Sequence, residues 1–225
     1  MEEGLQKNAI TALIAAAALL VFFNQYSLYM VLHSNLEDSG GIAGALTYNS
    51  GQVEFDLYVM SQCPYGVQME DALKPVMGAL RENVKLDINF IASENGGVFS
   101  SMHGQQEVEG DIIHLCAKKY YPATYLDFIY CQNKNPRNFK RTINECAAQS
   151  NMDAEKIASC SESQEGQELL SASIKEADSA GARGSPTMYI NNNPYNGGRD
   201  SASLFNAICS AFTQKPKACG EPLGQ

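Results

Sequence analysis

Cys63 lies in the run SQCPYG, residues 61–66. A thiol attacks as its thiolate, and the unpaired N–H groups and dipole of a helix N-terminus stabilise that anion. Pro64 marks such a terminus, because its missing N–H costs nothing in a first helical turn. No Lys or Arg lies within ten residues of Cys63 in sequence, so the helix end is its main local activator. A dithiol site of the C-x-x-C kind carries its second cysteine three residues after the first. Here the tetrad reads Cys63-Pro64-Tyr65-Gly66, and that second position is glycine. The chemistry open to Cys63 is therefore attack on a disulfide to form a mixed disulfide, resolved by a thiol from outside the chain. Far downstream, Ser185-Pro186-Thr187 places an X-Pro bond between a turn and a strand, an expected site for a cis peptide.

The elements that must hold these residues can be read from periodicity. In VEFDLYVM, Val53, Phe55, Leu57 and Val59 alternate with Glu54, Asp56 and Tyr58, a strand pattern that ends just before Cys63. Met69, Leu73, Val76, Met77 and Leu80 follow at helical spacing, with Pro75 set to kink that helix. VKLDINFI alternates again, so the domain opens β-α-β with a parallel strand pair. Short helices are expected over about 107–119, 122–133, 137–149 and 153–160, and a longer one over 163–180. GSPTMYI reads as a turn into a strand and NNNPYNGG as turn chemistry; Leu204, Phe205, Ile208 and Phe212 mark a last helix. This order predicts an α/β, thioredoxin-like fold with a helical insertion at about 105–162.

The sequence at this point resembles a known family. SMHGQQEVEGDIIHLCA, residues 101–117, is similar to the signature of the gamma-interferon-inducible lysosomal thiol reductases: His103, Gly104, Glu107, Gly110 and Cys116 match. Ser101 and Val108 stand where that signature has cysteines, and Met102 replaces its Gln. The exported DsbA-like oxidoreductases are the broader relatives, and the thioredoxin-like resemblance covers roughly residues 52–213. It implies that Cys63 is the nucleophile with Pro64 and Tyr65 beside it, and that Pro186 is the cis-proline lying against it. It further implies a substrate groove shaped by Ser185, Thr187, Gly66 and His103. The missing second cysteine departs from the family's dithiol reaction, and the paired loss at 101 and 108 fits loss of one structural disulfide.

Six cysteines remain: Cys116, Cys131, Cys146, Cys160, Cys209 and Cys219. Six thiols allow fifteen pairings. Cys209 and Cys219 flank a short segment and are expected to staple the C-terminal tail. The other four end successive helices, which leaves three pairings. If consecutive helices run antiparallel, alternate ones share an end, which favours Cys116 with Cys146 and Cys131 with Cys160. Met60, Cys63, Met69, Met102 and His103 include soft donors of the kind that suit copper(I). Methionines at helical spacing are more often core, so no metal and no cofactor is assigned.

Residues 8–32 contain no charged side chain, a length sufficient to cross a bilayer as a helix, with Lys7 before them and Glu37-Asp38 after. One N-terminal transmembrane anchor is expected within residues 1–33, a flexible Gly/Ser/Asn-rich linker over 34–51, and the thioredoxin-like domain over 52–225. A cleaved signal peptide is the competing reading, and either one exports the domain to the periplasm or cell exterior. Widely spaced cysteines agree with an oxidising compartment. The net charge of −9, from 16 Lys and Arg against 25 Asp and Glu, repels phosphate backbones and argues against nucleic acid as a partner. The 225 residues are 44% hydrophobic, enough for one sizeable core. Two functions remain open: thiol-disulfide exchange through Cys63 with protein or small-molecule thiols and disulfides, or a non-catalytic thioredoxin-like binding module or subunit of a membrane complex.

Overall fold

The computed structural model describes residues 51–223. The expected anchor and all but the last residue of the linker lie outside the described residues. Among the described residues, no helix is long and apolar enough to cross a membrane.

The chain opens with strand β1 (Val53–Val59), helix α1 (Pro64–Leu80) and strand β2 (Val84–Phe90). β1 pairs with β2 in parallel, Val53 opposite Val84 and Val59 opposite Phe90. The alternating residues of β1 do what their pattern implies: Val53, Phe55, Leu57 and Val59 are all buried. α1 sets Met69, Leu73, Val76 and Leu80 against them. The helix continues through Pro75, which removes one internal donor without ending it.

A small hairpin follows, β3 (Ser93–Asn95) and β4 (Val98–Ser100), which periodicity does not reveal. Three-residue strands are too short to show an alternation. Then come α2 (Gln105–Tyr120), α3 (Tyr125–Gln132), α4 (Phe139–Gln149), α5 (Ala154–Ser161) and α6 (Gln164–Ser179), within a few residues of the expected ranges. Strand β5 (Thr187–Ile190), the two-residue β6 (Asn193–Pro194) and helix α7 (Ser201–Ala211) complete the domain. The sheet order is β2-β1-β5-β6, with β1 between a parallel and an antiparallel neighbour. Asn191 and Asn192, at φ 47° and 62°, turn the chain between β5 and β6. Asn tolerates that left-handed region, which such a two-residue hairpin turn requires twice over.

The register of β5 decides where the chemistry can be. Tyr58 lies opposite Thr187 and Leu57 opposite Met188 in the antiparallel pair. The C-terminal end of β1 and the start of β5 therefore meet at one end of the sheet, and residues 60–63 and 185–187 are brought together there.

The disulfides correct one expectation. Cys209–Cys219 is present, but the helical block is joined by Cys116–Cys160 and Cys131–Cys146, rather than by 116–146 and 131–160. The expected pairing treated the four helices as long antiparallel rods. α3 and α5 each have only 8 residues, about 12 Å of rise, no longer than a helix is wide. Such helices have no distant ends to sort. The short loop after α3 folds α4 back onto it, and α5 returns to α2, so the bridges are nested.

Two buried titratable groups tie this block to the core. His114 packs among Phe90, Phe128 and Phe139, with its Nε2 3.1 Å from Gln132 Oε1, and burial lowers its pKa to about 4. Glu70 of α1 accepts from Asn133 Nδ2 at 2.9 Å; burial raises its pKa to about 8, against the pull of that hydrogen bond. The raised pKa of Glu70 gives stability that is present below pH 4.5 and lost as pH rises through 8. The lowered pKa of His114 acts in the opposite direction, its contribution being lost as pH falls from 6.5 toward 4. Above pH 6.5 the His114 contribution is complete, while Glu70, with the buried Asp111 acting in the same direction, still favours the protonated fold, so Tm should fall as pH is raised from 6.5 to 8. Glu70→Gln should flatten that slope and raise Tm at the alkaline end, as read by calorimetry across pH.

Candidate functional site

Cys63 is the N-cap of α1 and, alone among the seven cysteines, is free. Pro64 occupies the first helical turn, as its chemistry requires. The chain reaches the helix through a tight turn, closed by Cys63 N–H donating to the Met60 carbonyl at 2.9 Å. The Ser185–Pro186 peptide is cis. It sets the Ser185 carbonyl 3.5 Å from Cys63 Sγ, so the expected partners across 122 residues do meet. Ser185 Oγ accepts the Met60 N–H at 3.0 Å, and Thr187 Oγ1 donates to the Gly184 carbonyl at 2.7 Å, fixing the turn on both sides of the cis bond. Cys63 keeps 8% of its surface, while Pro64 and Tyr65 are exposed.

Gly66, expected to help shape a substrate groove, is a close-packed position. It is buried, and a Cβ there would lie 2.6 Å from Ser185 Oγ, 3.1 Å from the Met60 carbonyl and 3.3 Å from Val59 Cβ. Ser185 fills the space that a second cysteine would need.

A carboxylate that the sequence pattern matched to the family signature, but gave no role, organises the corner. Glu107 is fully buried near the start of α2. Its Oε1 accepts the Gln62 N–H at 3.0 Å, and its Oε2 accepts the His103 N–H at 3.1 Å and the Ser101 hydroxyl. His103 Nδ1 lies 2.8 Å from Oε1. Surrounded by donors, Glu107 acts as acceptor, which assigns the proton to His103 Nδ1 and leaves Nε2 as the free ring nitrogen. One turn on, Asp111 Oδ1 accepts the Ser61 N–H at 3.0 Å, and Ser61 Oγ donates to the Glu107 carbonyl at 3.1 Å. Burial pushes the Asp111 carboxyl well above the ordinary range. Gly110 permits the approach: a Cβ there would meet the Phe139 ring at 2.2 Å and Ser61 Oγ at 2.7 Å.

The two positions where the family signature carries cysteines are now explained locally. Ser101 bonds to Glu107, and Val108 is buried in the core. The Ser101 hydrogen bond ties the segment before α2 to the helix without a covalent bridge, and Val108 adds to the core from within α2.

Cavities open on both sides of the corner. One of about 670 Å³ is lined by Gln62, Pro64, Val67, His103, Gln106 and Arg137, among others. Another, of about 320 Å³, runs from Pro186 and Thr187 to Tyr195 and Arg199. Arg199 lies over the Tyr65 ring at 4.4 Å. The two arginines are cations near the corner that local sequence could not supply, because each comes from another segment. The soft donors do not gather: Met69 is in the main core and Met102 is 75% exposed. Among the described residues there is no cluster of three or more His, Cys, Asp or Glu that could hold a metal ion.

Two outcomes test this geometry. Glu107→Leu strands the four donors that it accepts from, each buried one worth about 1–3 kcal/mol when unpaired. Chemical denaturation should therefore show a loss of about 3 kcal/mol or more, with Glu107→Gln milder. Gly66→Cys should destabilise by about 1–3 kcal/mol through overpacking. The same change should cost measurably less in a Ser185→Ala background, a coupling that a double-mutant cycle resolves.

Comparison with known proteins agrees with this architecture. Residues 54–150 match the family model of gamma interferon inducible lysosomal thiol reductase, and residues 117–208 match that of the DSBA-like thioredoxin domain. GILT-like protein 1 of Drosophila melanogaster is 28% identical over 149 residues, which cover 56% of this chain. The matched region spans about 60% of that protein's length. Among solved structures, BdbD from Bacillus subtilis superposes with TM-score 0.58 at 12% identity, over 73% of this chain and 89% of that one. MdbA from Actinomyces oris, a thiol-disulfide oxidoreductase, gives 0.57 at 14%, over 75% and 84%. These likenesses show the thioredoxin-like fold with its helical insertion. Taken together, the comparisons bear out the resemblance first seen at residues 101–117.

Proposed function

We propose that this divergent relative of the lysosomal thiol reductases and DSBA-like proteins is a monothiol thiol-disulfide exchange protein, with Cys63 as its nucleophile. The observation that carries the reading is the single free cysteine at the N-cap of α1, facing the carbonyl that precedes a cis-proline. Cys63 thiolate attacks a client disulfide, forms one S–S bond and expels one client thiolate. An external thiolate then attacks the mixed disulfide and expels either Cys63 or the client sulfur. No second thiol within the chain is free to do this: position 66 is a buried glycine, and the other six cysteines are paired in disulfides. His103, with its proton assigned to Nδ1 by Glu107, offers Nε2 as a hydrogen-bond acceptor to a client bound on the side that Gln62 and Pro64 line.

The setting we infer is extracytoplasmic, with residues 8–32 as a membrane anchor. Three disulfides in the domain favour an oxidising compartment, and the uncharged run favours the anchor. The competing reading, a binding module without catalysis, draws on the low exposure of Cys63 beside the exposed Tyr65 and Met102. One experiment separates them. The intact protein is incubated with a disulfide-containing client, quenched by alkylation and weighed. Exchange predicts a client adduct on Cys63, absent in Cys63→Ser, with the other six cysteines unalkylated. A Cys63 that neither alkylates nor forms adducts in the folded protein would leave the binding module standing.

A further inference from the structure

The missing second cysteine raises a question that the cavity beside the cis-proline answers: what supplies the resolving thiol? The loop Tyr195–Asp200 is built rigidly. Tyr195 N–H donates to the Met188 carbonyl at 2.9 Å, which anchors the loop to β5. The Tyr195 ring closes over Gly197, where a Cβ would come within 2.6 Å of it, and its hydroxyl donates to the Gly198 carbonyl at 2.8 Å. Asp200, the carboxylate next to Arg199, is engaged elsewhere: it caps α7 by accepting from Ser203 N–H at 2.9 Å and Ser203 Oγ at 2.6 Å. Among the described residues Arg199 has no carboxylate within ion-pair distance. Its guanidinium instead lies on Tyr65, two residues after Cys63, at 4.4 Å. In a chain of net charge −9, an unpaired cation held in place by a fixed loop at the reactive corner favours anionic ligands.

We propose that the cavity lined by Pro186, Thr187, Tyr195, Asn196, Gly197 and Arg199 is the binding site for the resolving thiol, a small peptide thiol whose carboxylate pairs with Arg199. The cavity, about 320 Å³, suits a ligand of dipeptide to tripeptide size. This inference rests on the monothiol reading above and gives its second step a partner. The balance closes. The small thiolate attacks Cys63 Sγ in the mixed disulfide and releases the client's second sulfur as a thiolate. A second small thiolate then releases Cys63 and leaves as the small-molecule disulfide. One client disulfide becomes two thiols while two small thiols become one disulfide, and an oxidised pool runs the sequence backwards.

The test uses the full chain and two small disulfides, glutathione disulfide with its carboxylates and bis(2-hydroxyethyl) disulfide with none. Rates of adduct formation on Cys63 are read by intact mass. The wild type should favour glutathione disulfide. In Arg199→Gln the ratio of the two rates should fall about tenfold, the worth of one lost charge-assisted hydrogen bond. Arg199→Lys should recover part of it, and the wild-type preference should shrink with added salt. A wild type without preference, or a ratio that Arg199→Gln leaves within twofold, overturns this site while leaving exchange at Cys63 intact. A Cys63 that reacts with neither disulfide overturns the monothiol reading, and this inference with it.

Discussion

Everything at the Cys63 corner hangs on the carboxylate of Glu107. It is fully buried, and it collects hydrogen bonds from two segments that meet α2: the turn at Gln62 and the run from Ser101 to His103. A buried carboxylate without partners would cost several kcal/mol, and one with four donors converts that cost into a geometric constraint. The turn between β1 and α1 cannot shift without breaking those bonds. Ser61, tied to Asp111 and to the Glu107 backbone, closes the same arrangement from below. Cys63 is thus presented by a turn held on one side by α2 and on the other by Ser185.

This network also accounts for how the domain stands without a cysteine pair at 101 and 108. Ser101 engages Glu107 directly, and Val108 adds buried apolar surface at the following position. The helical block keeps its own covalent ties, Cys116–Cys160 and Cys131–Cys146, away from the corner. Bridged and free sulfur are therefore kept apart: six atoms in bridges, and one at the helix end.

The legible parts of the sequence were those governed by local rules. Alternation in residues 53–59, Pro64 at a helix start and Pro186 before a strand depend on nearest neighbours, and the structure places them as those rules require. The disulfide partners were not legible, because they depend on how short helices stack in three dimensions. Arg199 was not legible either, since nothing in YNGGRD says that the loop folds onto Tyr65. Glu107 lay between: a glutamate three residues after a glycine N-cap is a known capping position, but its reach to Gln62 is tertiary. The acidic surface and the cysteine parity constrain the setting and leave the site itself to geometry.

The nested bridges have a consequence for how the chain is made. After Cys63, the four cysteines of the helical block leave the ribosome in the order 116, 131, 146, 160, and oxidation on arrival would join Cys116 to Cys131. The native partner of Cys116 is Cys160, the last of the four to appear and 44 residues away, while Cys131 and Cys146, 15 apart, close the loop inside it. Vectorial synthesis and native connectivity are thus in conflict, and of the four block cysteines the one that waits longest is the one that arrives first. Maturation of this domain must hold Cys116 reduced until α5 is present, or undo an early mispairing with Cys131.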